Sequence, residues 1–455
     1  MCNVKKHYFF VKVQFSRIFE NFKFLRMKMV RISTPALTLV LSFITIFFSG
    51  CLKDKCEQTY HYTTYTPVYM SEDELRSAIK MLPAEDIVTP GKIFYMPPYL
   101  FVNELNKGIH IINNADPSNP QNVSFINIPG NLDLAVRGNI LYADSYIDMV
   151  ALDISDPLNV IEVDRTINVF PGRVYEGWTS DPALGVVVDF IPHDTLITET
   201  CTSDPSNFGN QWEGDFFLVS SDGGGNSGSS AATPGYGVAG SMTRFAITGN
   251  FLYCVTPASM ELFDITDPSS PQQGSSITTF ANAETIFPYD NYLFIGSTTG
   301  VLIYNNVVPE SPVFVSQLLH MTSCDPVVVN GTTAYSTLRS GTTCGTFDND
   351  VLDIIDLTDI NVPVLIKSYN MTGPYGLGID GQTLFICDGD AGLKMYDVTN
   401  PLNISLLQTV DIANPYDVIP IEGLLIVVTE NAILQYDYSS GTMELLSVMN
   451  VIRDI

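Results

Sequence analysis

A short motif recurs along the sequence with a nearly fixed spacing. In its fullest form an apolar strand runs into Asp-Ile-Thr-Asp-Pro, as at Glu261–Pro268. Each copy has a polar anchor residue directly after the strand, and seven anchors can be aligned: Asn113, Asp153, Asp264, Asn305, Asp356, Asp397 and Asp437. They are 40, 111, 41, 51, 41 and 40 residues apart. Strand-rich repeats of about 40 residues predict a β-propeller or a solenoid.

Each repeat divides into four short strands with turn signals between them. The predicted strands of the third copy are 241–248, 250–255, 260–265 and 274–280. Four antiparallel strands per repeat form one propeller blade, whereas βαβ units would need a helical periodicity that is absent here. The predicted fold class is therefore all-β, a seven-bladed propeller of four-stranded antiparallel blades. Because two anchors are 111 residues apart, counts of six or eight blades are alternatives.

The second copy, Val150–Pro157, and its counterparts resemble the LVIVD repeat of bacterial β-propeller proteins. The strand, the anchor Asp and the Asp-Pro turn recur in register over roughly residues 90–450. The resemblance implies a propeller of the secreted or lipid-anchored kind. It implies no catalytic residues.

The first 50 residues are predicted to be a lipoprotein signal peptide. A basic region precedes an apolar run at 36–48, and Ser49-Gly50-Cys51 follows. The run is short for a membrane-spanning helix, which needs about 20 residues. Cys after Ser-Gly resembles the bacterial lipobox, which implies a lipid anchor on Cys51 in the outer membrane of a Gram-negative cell, facing the periplasm or the outside. A transmembrane anchor, or secretion with a free thiol, is the alternative.

Residues 51–90 are predicted to be a tether with a short capping helix, and residues 91–455 the propeller. Ser71 and Glu74 have the spacing of a capping box, and the helical pattern continues to Leu82.

Without its first 50 residues the chain is strongly acidic. Those residues hold eight Lys/Arg and one Glu, so the remainder has 14 basic and 48 acidic residues, a net charge of −34. Such a surface disfavours nucleic acid, because phosphate binding requires Lys and Arg. It favours cations or basic partners, unless the acidity serves only solubility.

Two insertions, at 172–240 and 339–350, interrupt the repeat. The first follows the fourth strand of blade 2, and the second separates the second and third strands of blade 5. Both kinds of connection emerge on the same side of a propeller, which we call the loop-bearing face. The anchor turns lie on the opposite side, the turn face. Inserted loops predict that ligands bind at the loop-bearing face.

The first strand of each blade lines the central channel and starts at this face. Alignment places Thr243, Gly376 and four carboxylates at these starts: Asp133, Glu284, Asp325 and Asp417. A ring of carboxylates could hold Ca²⁺, the one cofactor considered, or a cationic ligand. Alternatively, each carboxylate bonds neighbouring backbone N–H groups and shapes the turn.

Aromatic residues flank the same channel mouth, namely Tyr146, Tyr375 and Tyr416, and Arg339 lies in the second insertion. Aromatic faces beside one Arg suit sugar or peptide recognition, unless the tyrosines only pack between blades. Asp348–Asp353 and Asp388–Asp390 alternate carboxylates but lack the Gly and Glu of an EF-hand, so we interpret them as turns.

Cysteine positions predict two kinds of thiol. Cys254 and Cys387 fall in apolar second strands and are expected to be buried. Cys324 and Cys344 belong to one blade and lie toward one face, so they could form a disulfide in an oxidising compartment.

Nothing in the sequence supports enzyme activity positively. It has no Gly-x-Ser-x-Gly and no His-Glu-x-x-His, and its five histidines lack metal-ligand spacing. The favoured function is a binding or scaffold module with a protein or glycan ligand. The alternatives are a carbohydrate-active lyase or hydrolase that uses the mouth carboxylates, and a passive cell-surface structural protein.

Overall fold

The computed structural model describes ten stretches of the chain: 57–171, 174–175, 178–181, 183–200, 226–228, 238–239, 243–279, 282–319, 326–340 and 350–452. The chain divides into a larger unit, 61–196 and 205–455, and a smaller one, 1–60 and 197–204. The described part of the smaller unit consists of the ends of two strands, at residues 57–60 and 197–200.

Seven blades of four antiparallel strands form a ring in the larger unit. The chain first forms β1 (Glu57–Met70), α1 (Glu72–Ser77) and β2 (Lys80–Pro83). Blade 1 consists of β3 (Pro90–Met96), β4 (Tyr99–Glu104), β5 (Gly108–Asn113) and β6 (Gln121–Asn127). Blade 2 consists of β7 (Leu134–Arg137), β8 (Ile140–Ser145), β9 (Asp148–Asp153) and β10 (Ile161–Thr166).

The strands of the first insertion follow: β11 (Val174–Tyr175), β12 (Trp178–Thr179), the 15-residue β13 (Val186–Thr200), β14 (Asn226–Gly228) and β15 (Val238–Ala239). Blade 3 consists of β16 (Phe245–Thr248), β17 (Phe251–Val255), β18 (Ser259–Asp264) and β19 (Gln272–Thr278). Blade 4 consists of β20 (Ala283–Tyr289), β21 (Tyr292–Ser297), β22 (Gly300–Asn305) and β23 (Val313–Leu319).

The last three blades complete the ring. Blade 5 consists of β24 (Val327–Asn330), β25 (Thr333–Leu338), β26 (Val351–Asp356) and β27 (Val364–Asn370). Blade 6 consists of β28 (Leu377–Asp380), β29 (Thr383–Cys387), β30 (Leu393–Asp397) and β31 (Ser405–Val410), with 3-10 turns at Gly389–Ala391 and Pro401–Asn403. Blade 7 consists of β32 (Pro415–Ile421), β33 (Leu424–Thr429), β34 (Ala432–Asp437) and β35 (Glu444–Asn450).

Burial along the strands explains the apolar runs of the sequence. The second and third strands of a blade are buried on both faces, as in β5 and β9, because another blade packs against each face. Fourth strands such as β27 are mostly exposed. Apolar clusters accordingly lie between neighbouring blades, for example between blades 3 and 4 and between blades 5 and 6.

All seven anchor residues make the same bond. Each anchor side-chain oxygen accepts a hydrogen bond from the backbone N–H two residues later, at 2.8–3.0 Å. This Asx turn is the physical reason for Asp or Asn at the anchor. Copies four and seven, which lack the Asp-Pro step, make it too. The anchor alignment and the count of seven blades are therefore confirmed.

The anchor turns also join the blades to one another. The carbonyl four residues after an anchor accepts a hydrogen bond from a hydroxyl of the preceding blade, as Pro268 does from Tyr142 at 2.8 Å and Ile360 does from Ser316 at 2.6 Å. The bond occurs at six of the seven junctions. At the junction of blades 6 and 7, Gln408 bonds the backbone of Met443 instead.

The ring closes between blade 7 and blade 1 by the same kind of contact, without exchange of strands. Ser447 donates to the Pro117 carbonyl at 2.6 Å. The buried amides of Asn114 and Gln435 bond each other reciprocally, both at 2.8 Å. Apolar residues of the two blades form one cluster, which includes Ile93 and Val428.

The N-terminal helix is shorter than predicted. Its capping box is present, since Glu74 N–H donates to Ser71 Oγ and Ser71 N–H donates to Glu74 Oε2. The predicted continuation to Leu82 is wrong: α1 ends at Ser77, and β2 pairs with the outer strand of blade 1. An exposed strand edge offers unpaired backbone groups, and β2 covers it.

Part of the first insertion lies inside the ring, whereas the sequence predicted a projection from one face. β14 pairs with the inner strand β28 of blade 6, and β15 pairs with the inner strand β3 of blade 1. Inner strands have an unpaired edge toward the axis, so chain that enters the channel can extend their sheets. Within the larger unit, β13 also pairs with β1, where Thr64 Oγ1 donates to the His193 carbonyl at 3.3 Å.

We predict that Gln435→Leu weakens the closure of the ring. The change leaves the buried Asn114 amide without its partner, which costs about 1–3 kcal/mol. The urea midpoint of unfolding should fall, whereas Gln273→Leu on the exposed outer strand of blade 3 should leave it unchanged. Equal midpoints for both variants would contradict this role.

Candidate functional site

Strand register defines one equivalent residue per blade at the start of the inner strand. In every blade, the last four residues of the inner strand pair with the second strand. The residue directly before these four is the equivalent position, and we call the seven such residues the ring positions. They are Lys92, Asp133, Arg244, Thr285, Pro326, Gly376 and Asp417, in order of blades 1 to 7.

The register corrects the sequence alignment at three blades, and at blade 5 the ring position is Pro326, the residue after Asp325. Thr243 was aligned with the carboxylates, but Arg244 occupies the ring position, because the inner strand of blade 3 starts at Phe245 and not at 241. Glu284 lies one residue before the ring position, in a β-bulge of blade 4. Sequence analysis missed Lys92 as well, although a step of 41 residues back from Asp133 reaches it.

Charges at the channel mouth alternate around five consecutive blades. In the order of blades 7, 1, 2, 3 and 4 they are Asp417, Lys92, Asp133, Arg244 and Glu284. Lys92 interacts electrostatically with all four others, and Glu284 interacts with Arg244. The structure therefore brings three of the predicted carboxylates together and adds two cations that the sequence analysis did not assign.

Backbone N–H groups hold two of these carboxylates in place. Asp133 accepts hydrogen bonds from Leu134 N–H at 2.8 Å and from Arg244 N–H. Asp417 accepts one from Val418 N–H at 2.8 Å. These bonds fit the alternative considered from the sequence, in which the carboxylates shape the backbone, and they also fix the charges at the mouth.

Burial brings the pKa values of several of these groups close to neutral pH. It raises the pKa of Asp133 to about 7, opposed by the charge of Lys92, and that of Asp417 to about 6. Burial likewise raises the pKa of Glu284 and lowers that of Lys92 to about 8. Ionised groups lose hydration in such a site, so the equilibrium shifts toward the uncharged forms.

Blades 5 and 6 interrupt the alternation with Pro326 and Gly376. One residue before the ring position of blade 6, the ring centroid of Tyr375 lies 3.7 Å from the guanidinium carbon of Arg339. Thr337 Oγ1 donates to the Tyr375 carbonyl at 2.6 Å. The predicted pairing of Arg339 with an aromatic face is thus present next to the charged arc. Asp325 lies outside the described residues.

The other two tyrosines serve packing. Tyr416 donates its hydroxyl to the Pro90 carbonyl at 2.7 Å and so joins blade 7 to blade 1. Tyr146 is 5% exposed and clusters with Leu75 of α1. A Cβ on Gly130 would meet the Tyr146 ring at 2.3 Å, so this ring is packed against backbone and is not available to a ligand.

Metal binding finds no support among the described residues. No group of three or more His, Cys, Asp or Glu side chains there could hold a metal ion. Asp388 instead bonds Lys394 and the N–H groups of Thr372 and Gly373, which agrees with the prediction of a turn.

Two of the predicted cysteine environments can be assessed. Cys254 and Cys387 are free and buried, as predicted, and burial raises the pKa of both thiols. Cys51, Cys324 and Cys344 lie outside the described residues, so the lipid anchor and the disulfide stay predictions.

The fold and the repeat define the class of this protein as a seven-bladed β-propeller. The family model of the LVIVD repeat matches residues 131–166 and 239–279, the second and third copies. Together with the seven-fold anchor pattern, this makes the chain a member of the LVIVD-repeat propellers. No curated protein sequence matches it.

Solved structures resemble the chain in fold alone. A protein from Lactobacillus plantarum has 12% identity and a TM-score of 0.50, over 80% of this chain and 97% of that one. The periplasmic gluconolactonase of Pseudomonas aeruginosa has 11% identity and a TM-score of 0.47, over 80% and 96%. The computationally designed Ika8 protein has 8% identity and a TM-score of 0.47, over 81% and 91%. In the part of the chain that the structure describes, no helix has the length and apolarity to cross a membrane.

We predict that the protein becomes more stable as the pH falls from 7 to 6, below the range near pH 8 in which the lowered pKa of Lys92 acts in the opposite direction. The raised pKa values of Asp133 and Asp417 mean that the folded state binds protons that the unfolded state, with carboxyl pKa values near 3.9, does not. The gain is on the order of 1 kcal/mol per pH unit for a group titrating in that range. Turn aspartates with lowered pKa values, such as Asp264, change the pH dependence of stability only below about pH 4.

Chemical denaturation at pH 7 and pH 6 measures this effect. Asp133→Asn should reduce the rise, because the variant removes one of the two titrating carboxyls. The control Asp411→Asn, at an exposed loop position, should retain it. An unchanged slope in Asp133→Asn would show that Asp133 titrates elsewhere.

Proposed function

We propose that this protein is an exported, lipid-anchored propeller that binds a protein or glycan ligand at the channel mouth on its loop-bearing face. The observation that carries the proposal is the juxtaposition there of a charged arc and the stacked pair of Arg339 and Tyr375. Charged groups orient a ligand, and an aromatic face supplies contact area.

Several features support this face over the turn face. The anchor turns are occupied by bonds within and between blades, as at Asp264 and Pro268. The loop-bearing face instead carries the ring positions, and the chain leaves the blades for both insertions on this side. Binding on repeat scaffolds concentrates on the face with inserted loops.

A carbohydrate-active enzyme is the second candidate. The pKa values of about 7 for Asp133 and about 8 for Lys92 lie where a general base or acid works at neutral pH. Turnover of a polysaccharide that disappears in both Asp133→Asn and Lys92→Met would favour the enzyme. Saturable binding without turnover favours the binding module.

We predict that Arg339→Ala and Tyr375→Ala each weaken ligand binding at least about tenfold, which corresponds to 1.4 kcal/mol. A glycan array and pull-down with the full exported chain would identify the ligand, and titration of the variants would measure the loss. Lys367→Ala is the matched control, since Lys367 also lies over a tyrosine, 5.5 Å from the ring of Tyr369, but on an outer strand. Full affinity in both Arg339→Ala and Tyr375→Ala would place the ligand elsewhere.

We predict that Cys51→Ser releases the protein from membranes, because lipid attachment needs the thiol. Fractionation of cells that express the variant measures the membrane-bound share. Cys56→Ser, which changes a cysteine five residues later, should stay bound. A membrane fraction that Cys51→Ser leaves unchanged would overturn the anchor.

A further inference from the structure

Exposed apolar side chains concentrate on the outer strands of consecutive blades. Blades 5 and 6 carry six that are 45–61% exposed, and we call this set the apolar rim: Val362, Val364, Leu365, Leu402, Leu406 and Leu407. These residues follow one another along two neighbouring outer strands and the turns before them. Single exposed apolar residues are normal on a protein surface, whereas a group of them marks an interaction site.

Strand register shows that the apolar rim is not a requirement of the repeat. The outer-strand residue that pairs with the position before the anchor is apolar and exposed in blades 4 to 7, where it is Phe314, Leu365, Leu406 and Leu445. In blades 1 to 3 the same position is polar, and it is Asn122, Glu162 and Gln273. Blades thus form equally well with a polar residue at this place.

The outer strands of blades 5 and 6 also lack the features that protect an exposed strand edge. β2 covers the edge of blade 1, and the outer strand of blade 2 carries Glu162, Asp164 and Arg165. β27 holds one charged residue, Lys367, and β31 holds none. A covering strand or charged side chains normally keep such an edge from pairing with another chain. The β-bulge of an outer strand does not prevent pairing here, since β2 pairs with Ser124–Asn127 directly after the bulge of β6.

We propose that the apolar rim of blades 5 and 6 is the contact through which two copies of this chain form a dimer. The proposal goes beyond the ligand site at the channel mouth and does not depend on it. In the described part of the chain, no strand pairs with the outer edge of β27 or of β31, so both edges are available to a second copy.

Charge favours a second copy as the occupant of the rim. Without its first 50 residues the chain has a net charge of −34, so two copies repel each other wherever their acidic surfaces meet. The two outer strands of the rim carry only the charge of Lys367, and contact there avoids this repulsion. A basic partner would instead be drawn to the acidic surface, because the rim offers mainly the burial of apolar area.

The equivalence of the two blades also makes the rim self-complementary. A two-fold axis between blades 5 and 6 brings blade 5 of one copy against blade 6 of the other, and the reverse. Leu365 and Leu406, which share one register position, then lie on opposite sides of the same contact. The two Lys367 side chains stay apart, because each faces the uncharged β31 of the other copy.

Sedimentation velocity of the full exported chain tests the proposal. The chain is made as Cys51→Ser, so that no lipid drives association. We expect a dimer fraction that rises with protein concentration and with salt, because salt screens the repulsion between two acidic copies. A chain that stays monomeric, or an association that weakens with salt as ion pairs do, would overturn the proposal.

Leu406→Lys should raise the dissociation constant of the dimer at least about tenfold, since each dimer then buries two lysines. Gln273→Lys is the matched control, because Gln273 has the same register position on the exposed outer strand of blade 3. The control should dimerise at least as well as the parent chain. Equal loss in both variants would mean that added charge acts generally, and it would refute the contact at the rim.

Hydrogen exchange of the chain with an unaltered rim keeps the test valid if Leu406→Lys fails to fold. Backbone amides of 364–370 and 405–410 should exchange more slowly at high protein concentration, whereas those of 272–278 should not change. Exchange in the two rim strands that is independent of concentration would count against the dimer.

A lipid surface is the other occupant that these measurements distinguish. The Cys51→Ser chain should not sediment with phosphatidylcholine vesicles. If it stays monomeric in solution but binds the vesicles, and Leu406→Lys abolishes that binding, the rim contacts lipid and the dimer is overturned.

Discussion

The rest of the structure depends on the turn that follows the third strand of each blade. An anchor side chain accepts a hydrogen bond from the backbone N–H two residues later and so fixes the turn. The carbonyl four residues after the anchor then accepts a hydrogen bond from a hydroxyl of the preceding blade. One short motif thus shapes the blade and sets its contact with its neighbour. Because the bond recurs at six junctions, including the one that closes the ring, the propeller needs no exchanged strand.

This arrangement leaves the two faces with different tasks. On the turn face, the anchor turns make hydrogen bonds within and between blades, so equivalent residues of different blades have the same structural role. On the loop-bearing face, ring positions differ from blade to blade, from Lys92 to Gly376, without disturbing the inner strands that follow them. A repeat scaffold can therefore carry an asymmetric charge pattern on one side while its architecture stays regular.

Residues near the mouth also show that one group can have two roles. Asp133 accepts a backbone hydrogen bond from Arg244 at the start of blade 3, and its burial raises its pKa to about 7. Tyr416 lies one residue from Asp417 yet serves to join blades 7 and 1. Whether a residue near the mouth belongs to the candidate site or to the packing between blades therefore depends more on its position in the ring than on its residue type.

The sequence by itself determined the fold and the seven blades, because the anchor, the apolar strand and the turn are local features with a period that can be counted. It also located the mouth carboxylates Asp133, Glu284 and Asp417 and the pair Arg339 and Tyr375. Only the tertiary structure assigned Lys92 and Arg244 to the ring, since strand register depends on partners that the sequence does not align. It also decided that Lys80–Pro83 is a strand, because the free edge of blade 1 outweighs the local helical pattern. Burial, which sets the pKa values at the mouth, arises when the inner strands of the seven blades come together around one axis.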